Sequence, residues 1–187
     1  ARAAARARLA AGGVDPDAPF ALASVGARPG SAKGYPPDLW SAALTAFAAE
    51  SRLPLVLAGG PGEEEAVRAV EVAGAAVLRL VDPPADLPAL VAFASLARVV
   101  LAADSGPRHV VAAAGAPVAV VLGPTDPRHG ADHLETTRLV RVEVPCGPCH
   151  RETCPLAGAE HHACMRGVAP ARLARAALEL LAEGGAR

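Results

Sequence analysis

The stretch Ala97-Arg98-Val99-Val100-Leu101-Ala102-Ala103-Asp104-Ser105-Gly106-Pro107-Arg108-His109 decides how this chain reads. A β-rich apolar run ends in an acid, a small hydroxyl residue and Gly-Pro. It then gives way to the Ala/Val spacing of Val110 to Gly115, the order expected of a strand, a tight turn and a helix N-terminus. The first N–H groups of a helix have no partner within it, and the aligned peptide dipoles place positive charge there, so such a turn favours an anion. Asp104 and His109 are then expected to flank the bound group.

The same alternation extends in both directions. Phe20 to Val25 reads as a first buried strand, and Pro36-Pro37-Asp38 opens a helix through Glu50 with Leu39, Trp40, Ala43, Leu44 and Phe47 at helical spacing. Leu55 to Ala58 is a second strand, followed by Gly59-Gly60-Pro61-Gly62 and a helix from Glu63 to about Ala73. Ala76–Leu80 is a third strand, Leu87–Ser95 a helix, Val99–Ala103 a fourth strand and Pro107–Ala114 a helix. Val118–Leu122 and Leu139–Val144 are read as two more strands, and Pro170–Ala182 as a closing amphipathic helix. Strands alternating with helices imply a parallel sheet covered on both faces. The expected fold is α/β, a Rossmann-like doubly wound parallel sheet, whose ligands sit beyond the carboxyl ends of the strands where strand order reverses.

Composition narrows the function. A chain of 187 residues, about half apolar, can bury one full core, and one domain is expected. The formal net charge of −1 and the scarcity of aromatic residues argue against nucleic acid as a partner. Arg2, Arg6 and Arg8 are read as the solvated face of a helix. The longest charge-free run, Val110 to Asp126 exclusive, is interrupted by Gly and Pro and falls short of the roughly 20 residues of a spanning helix. Residue 1 is Ala, and the first residues lack a signal-peptide pattern, so the chain reads as cut from something longer.

The remaining motifs cluster at the expected strand ends. Lys33 is the one lysine beside seventeen arginines and lies in the Gly-rich loop Gly30-Ser31-Ala32-Lys33-Gly34-Tyr35, where an ammonium can reach a phosphate. Gly59-Gly60-Pro61-Gly62 lacks the third glycine of a dinucleotide fingerprint and is read first as a plain turn, with one of Glu63, Glu64 and Glu65 facing a ribose as the alternative. Gly123-Pro124-Thr125-Asp126-Pro127 offers backbone N–H groups and the Thr125 hydroxyl to the same cleft. Cys146-x₂-Cys149-x₄-Cys154-x₉-Cys164, with His150, His161 and His162 nearby, has the ligand types of a zinc cage but not the spacing of a standard ribbon or knuckle. Structural zinc stands there as an alternative to unliganded thiols, which are preferred.

Together, Lys33-x-Tyr35-Pro36-x₃-Trp40, Leu57-Ala58-Gly59-Gly60, Asp104-Ser105-Gly106-Pro107-x-His109, Gly115-x-Pro117, Gly123-Pro124-Thr125-Asp126-Pro127 and the Cys-x₂-Cys tail resemble the C-terminal half of glycosyltransferase family 9, the lipopolysaccharide heptosyltransferases. The resemblance runs from Phe20 to the end. It implies half of a GT-B enzyme that transfers heptose from ADP-heptose to the lipopolysaccharide inner core with inversion, the C-terminal half binding the nucleotide sugar. Residues 1–18 would then be a linker or helix tail from an absent N-terminal domain, and residues 19–187 the donor-binding domain, including a Cys-rich loop over 145–165 and the closing helix.

Carried over by position, the resemblance implies that Lys33 contacts the phosphate or sugar, Glu64 the ribose and Asp104 the heptose hydroxyls. Ser105, Gly106 and His109 would line the diphosphate, with Thr125 beside them. Charge leaving on ADP would be stabilised by the helix N-terminus and Lys33, with no divalent ion required. The acceptor, a lipid-linked core oligosaccharide, and the catalytic base would belong to the absent half. The expectation for this chain alone is donor binding without useful turnover, in the cytoplasm and, for the whole protein, at the inner membrane periphery. Competing expectations are the donor half of another GT-B enzyme using a different nucleotide sugar, or a metal-stapled binding module without catalysis. The segment Arg128-His129-Gly130-Ala131 departs from the family's pattern and so bears on the sugar side.

Overall fold

The computed structural model describes residues 1–130 and 133–184. Six parallel strands, β1 (Ala21–Ser24), β2 (Leu55–Ala58), β3 (Val77–Leu80), β4 (Val99–Ala103), β5 (Val118–Val121) and β6 (Thr137–Val140), form one sheet in the order β3-β2-β1-β4-β5-β6. This is the Rossmann order expected from the alternating pattern, and it reverses direction between β1 and β4. Registers run from Ala21↔Leu55 and Ala21↔Val99 outward, so the carboxyl ends of β1, β2 and β4 lie level at one rim.

Alternation divides each strand between two cores. Ala21, Ala23, Leu55, Leu57, Val99, Leu101, Ala119 and Val121 pack beneath α2 (Pro37–Ser51) and α7 (Pro170–Gly184). Leu22, Val56, Val100, Val118 and Val120 pack beneath α1 (Arg2–Ala11), α4 (Leu87–Ala94) and α5 (Gly106–Ala113). Strands buried on both faces have no polar alternation, which is why β1, β2, β4 and β5 read as plain apolar runs. In α2 the stripe Trp40, Ala43, Leu44 and Phe47 is buried, as its spacing predicts, and Pro37 occupies the first turn.

Three expectations are corrected. The helix expected from Glu63 to about Ala73 is only α3 (Glu64–Arg68). Beyond it the N–H groups of Glu71 and Ala73 donate to Ser41 Oγ and Thr45 Oγ1 of α2, so side chains of a neighbouring helix take the donors that a longer helix would use. The strand expected over Leu139–Val144 is β6, because its ladder with β5 ends at Val121↔Val140, where β5 turns away at Gly123-Pro124. Of the three arginines expected in solvent, Arg2 is exposed, while Arg6 and Arg8 are partly covered. Arg6 pairs with Asp17 at 2.6 Å, and Arg8 stacks 5.7 Å from the Phe93 ring centroid while donating to Pro83 O. The helix that carries them buries Leu9 completely against the sheet's second core. A short α6 (Ala163–Arg166) precedes α7 and inserts Met165 into the first core.

Candidate functional site

The switch point is occupied by a buried ionic triad. Asp104 follows directly on β4 and α5 begins two residues later, so one helical turn brings Arg108 back over the carboxylate at i+4, its Nε 2.9 Å from Asp104 Oδ1. Both side chains are about 1–2% exposed. Lys33 enters from the loop after β1, its Nζ 3.2 Å from Asp104 Oδ2 and its side chain 41% exposed. Burial pushes the Asp104 carboxyl up, but a hydrogen bond from Thr125 and the charges of Lys33 and Arg108 outweigh it and hold the group below the usual carboxylate range. Two cations against one anion leave a net positive charge, which Lys33 carries to the surface.

Local contacts fix the lysine loop. Ser31 Oγ accepts from Lys33 N at 3.2 Å, Ser31 O accepts from Gly34 N, and Glu152 O accepts from Ala32 N at 2.7 Å. Tyr35 is buried edge-on to Trp40, and its hydroxyl donates to Val168 O at 2.8 Å, anchoring the loop to the lead-in of α7. Burial, with Asp38 nearby, raises the Tyr35 hydroxyl well above the usual phenol range, so it remains a donor.

Two adjoining hollows open at this rim, of about 390 and 410 Å³. The first is apolar, walled by Gly26, Gly59, Pro61, Leu87, Leu90 and Val110. The second is polar, walled by Ser31, Lys33, His150 and Arg151. Ser105, Gly106 and Glu63 belong to both, so the N-terminus of α5 is the partition between them. Ser105 stands at the N-cap without a side-chain hydrogen bond to the helix; Pro107 has no N–H and Arg108 N donates to Ser105 O, so Gly106 supplies the first-turn N–H at the cleft. Glu63 is held by Gly60 N, which donates to Oε2 at 2.8 Å. A Cβ on Gly26 would collide with that carboxylate and sit 2.7 Å from Gly59 Cα, so the two loops meet only because residue 26 has no side chain.

Of the residues singled out in the sequence, the fold brings Lys33, Ser105 and Gly106 to the cleft wall, with Asp104 directly behind Lys33 and Thr125 near enough to Asp104 to lower its carboxyl. Glu64 and His109 line neither hollow. The acid that reaches the cleft from that turn is Glu63; Glu64 accepts from Gly62 N at 3.2 Å, and this with its own N–H lowers its carboxyl. Sequence reasoning gave no role to Arg108 or Arg151, and placed His150 with the cysteine cluster rather than at the cleft. The i+4 spacing of Asp104 and Arg108 was a usable signal for the first; nothing local marks the other two, which arrive from a loop more than a hundred residues beyond Lys33. Asp126 is held by Arg128 through side-chain and backbone donors, which lowers its carboxyl strongly. Ala131 lies outside the described residues.

The four cysteines are free thiols and all face one cavity of about 180 Å³ beside the polar hollow. Among the described residues, Cys154, His161 and His162 are the group whose ligand atoms come within 4.8 Å of one another. No helix of the described residues is long and apolar enough to cross a membrane.

A doubly wound sheet in this strand order, with a lysine-bearing cleft at its switch point, defines a Rossmann-like α/β domain. The sequence matches the profile of glycosyltransferase family 9 (heptosyltransferase) over residues 2–160, and the chain belongs to that family. A 79-residue segment is 34% identical to lipooligosaccharide heptosyltransferase 2 of Campylobacter jejuni (serotype O:2), covering 42% of this chain and 24% of that protein. The fold superposes on the E. coli ADP-heptose lps heptosyltransferase II with a TM-score of 0.73 at 20% identity, covering 99% of this chain and 53% of that one. A family 9 glycosyl transferase of Veillonella parvula gives 0.75 at 20% identity, over 97% of this chain and 51% of that one. This chain therefore spans about half the length of its solved relatives.

Proposed function

We propose that the paired hollows bind the donor of a heptosyltransferase, ADP-heptose, and that this chain is the donor-binding half of an inverting enzyme acting on the lipopolysaccharide inner core. The observation that carries the reading is the Lys33–Asp104–Arg108 triad beside the α5 N-terminus, at the point where strand order reverses. The apolar hollow suits a purine, Glu63 at its edge suits a ribose hydroxyl, and the Gly106 N–H and the Ser105 hydroxyl suit a diphosphate, the Ser105 N–H being given to Ala103 O at 2.8 Å. The sugar then extends into the polar hollow toward His150 and Arg151.

In this arrangement the bond between the heptose anomeric carbon and the β-phosphate oxygen breaks as an acceptor hydroxyl attacks from the opposite face. Negative charge grows on the departing ADP. The α5 N-terminus and Lys33 meet that charge, fixed in place before the reaction, which is where electrostatic stabilisation acts most strongly. Asp104 has both oxygens engaged within the protein, so its part is to hold Lys33 extended, with Arg108 supplying the second counter-charge. Acceptor binding and deprotonation fall to a second domain facing this rim, and such an enzyme works at the cytoplasmic face where its lipid-linked acceptor is held. Alone, the chain binds donor without useful turnover, since positioning donor, acceptor and base together supplies several kcal/mol of the barrier, on the order of 7–11 when complete.

Calorimetric titration of the chain with ADP, UDP, GDP and ADP-heptose, with and without EDTA, tests the reading. ADP and ADP-heptose are expected to bind more tightly than the other nucleotides, unaffected by EDTA. Lys33→Met is expected to weaken ADP by about 10- to 100-fold, the loss of one charge-assisted contact. Equal affinity for UDP refutes the choice of base, and an unchanged Lys33→Met affinity refutes the site.

A further inference from the structure

The cysteine-lined cavity is separate from the nucleotide cleft, and its chemistry differs. Cys154, His161 and His162 each present a ligand atom within 4.8 Å of the others. A tetrahedral N/S site needs ligand atoms about 3.3–3.8 Å apart around one ion, so these three are close to a ligating arrangement. His161 Nδ1 lies 2.8 Å from Leu156 O, which fixes that nitrogen as the N–H donor and leaves Nε2 as the ring atom with a lone pair to offer. A ring nitrogen tied to a backbone carbonyl is the usual second partner of a metal-bound histidine.

His162 Nε2 is buried with no hydrogen-bond partner, a cost that a bound cation would remove. His162 N donates to Cys154 Sγ at 3.3 Å, which ties the sulfur to the histidine pair. Cys146, Cys149 and Cys164 line the cavity with Cys154 and His162 but stand outside that 4.8 Å group, so the fourth ligand is one of these thiols brought in by side-chain rotation.

We propose that Cys154, His161, His162 and one of the other three thiols bind a single thiophilic divalent ion, with Zn²⁺ as the best match to mixed thiolate and imidazole donors. The site has no place in the transfer chemistry. It closes the loop over 145–165 on itself, and that loop carries His150 and Arg151 to the cleft. His150 N donates to Pro124 O at 2.9 Å and Glu152 O accepts from Ala32 N. An ion here therefore secures the wall against which the Lys33 loop is hydrogen-bonded.

The test is metal content of the chain purified under reducing conditions, measured by elemental analysis after supplementation with Zn²⁺ or Fe²⁺, and replacement by Co²⁺. One ion per chain is expected, with the strong visible bands of tetrahedral Co²⁺ and a thiolate-to-cobalt charge-transfer band. Excess Zn²⁺ is expected to raise Tm by about 5–10 °C over the chelator-treated protein. Cys154→Ser and His162→Gln are each expected to abolish stoichiometric binding, while His150→Gln, which is outside the ligand set, retains it. Circular dichroism of each variant separates lost binding from lost fold. Less than one-tenth of an ion per reduced, folded chain after reconstitution overturns the proposal. Undiminished binding by His162→Gln overturns the ligand set, and octahedral Co²⁺ spectra overturn the thiolate–imidazole cage.

Discussion

Replacing Asp104 by Asn examines the triad on which the cleft depends. Arg108 Nε is 2.9 Å from Asp104 Oδ1, and both groups are almost wholly out of water. At an effective dielectric constant of about 20 this attraction is about 6 kcal/mol gross, most of it offset by the desolvation already incurred on folding. Removing the anion breaks a buried charge pair from one side, which costs about 3–5 kcal/mol. Asn still accepts one hydrogen bond, so the lower end is expected, about 3 kcal/mol, or a fall in Tm of about 6–12 °C for a domain of this size. Lys33→Met loses a pair whose cation is 41% exposed, and the expected cost is below about 1 kcal/mol. Urea unfolding followed by circular dichroism gives both values, and the doubly substituted Asp104→Asn/Arg108→Met protein closes the cycle with respect to Arg108. Its destabilisation is expected to fall short of the sum of the singles by at least about 1 kcal/mol. A loss below about 1 kcal/mol for Asp104→Asn, or strict additivity with Arg108→Met, would refute the argument that a buried charge pair holds Lys33.

The wild-type advantage over Asp104→Asn should also depend on pH. Because the folded carboxyl is depressed, its contribution is complete above the unfolded value of about 3.9 and fades as pH falls through the lower folded value, so the gap in urea midpoint narrows only below about pH 4. A gap that narrows instead between pH 6 and 8 would contradict this. Gly26→Ala forces a methyl against Glu63 and the Gly59 backbone and should cost about 1–3 kcal/mol, with loss of ADP affinity in the protein that remains folded. Equal affinity and stability would show that the two loops need not meet. Tyr35→Phe removes the donor to the buried Val168 carbonyl and should lower Tm by about 2–6 °C, read by calorimetry. Leu9→Ala should cost about 2–5 kcal/mol in urea unfolding, since that side chain is completely buried; a cost near zero would mean that α1 is not part of the core.

By itself the sequence determined the order of strands and helices, because apolar runs bounded by Gly and Pro report burial and turning locally, residue by residue. Thus Val99–Ala103 was legible to the residue, and the turn Asp104-Ser105-Gly106-Pro107 announced a helix start at the end of that strand. Lys33 stood out by composition alone. Tertiary structure decided what depended on neighbours distant in the chain. The truncation of α3 follows from Ser41 and Thr45 of α2, and the end of β6 from where β5 turns away. Only the folded chain selected Glu63 over Glu64 for the cleft, because a hydrogen bond to Gly60 aims one carboxylate inward while its neighbour caps its own turn. The same holds for the wall made by His150 and Arg151. Spacing along a chain fixes which groups share a helix face or strand side, but convergence of two loops at a sheet's switch point is a property of strand order, and strand order is set by packing across the whole core.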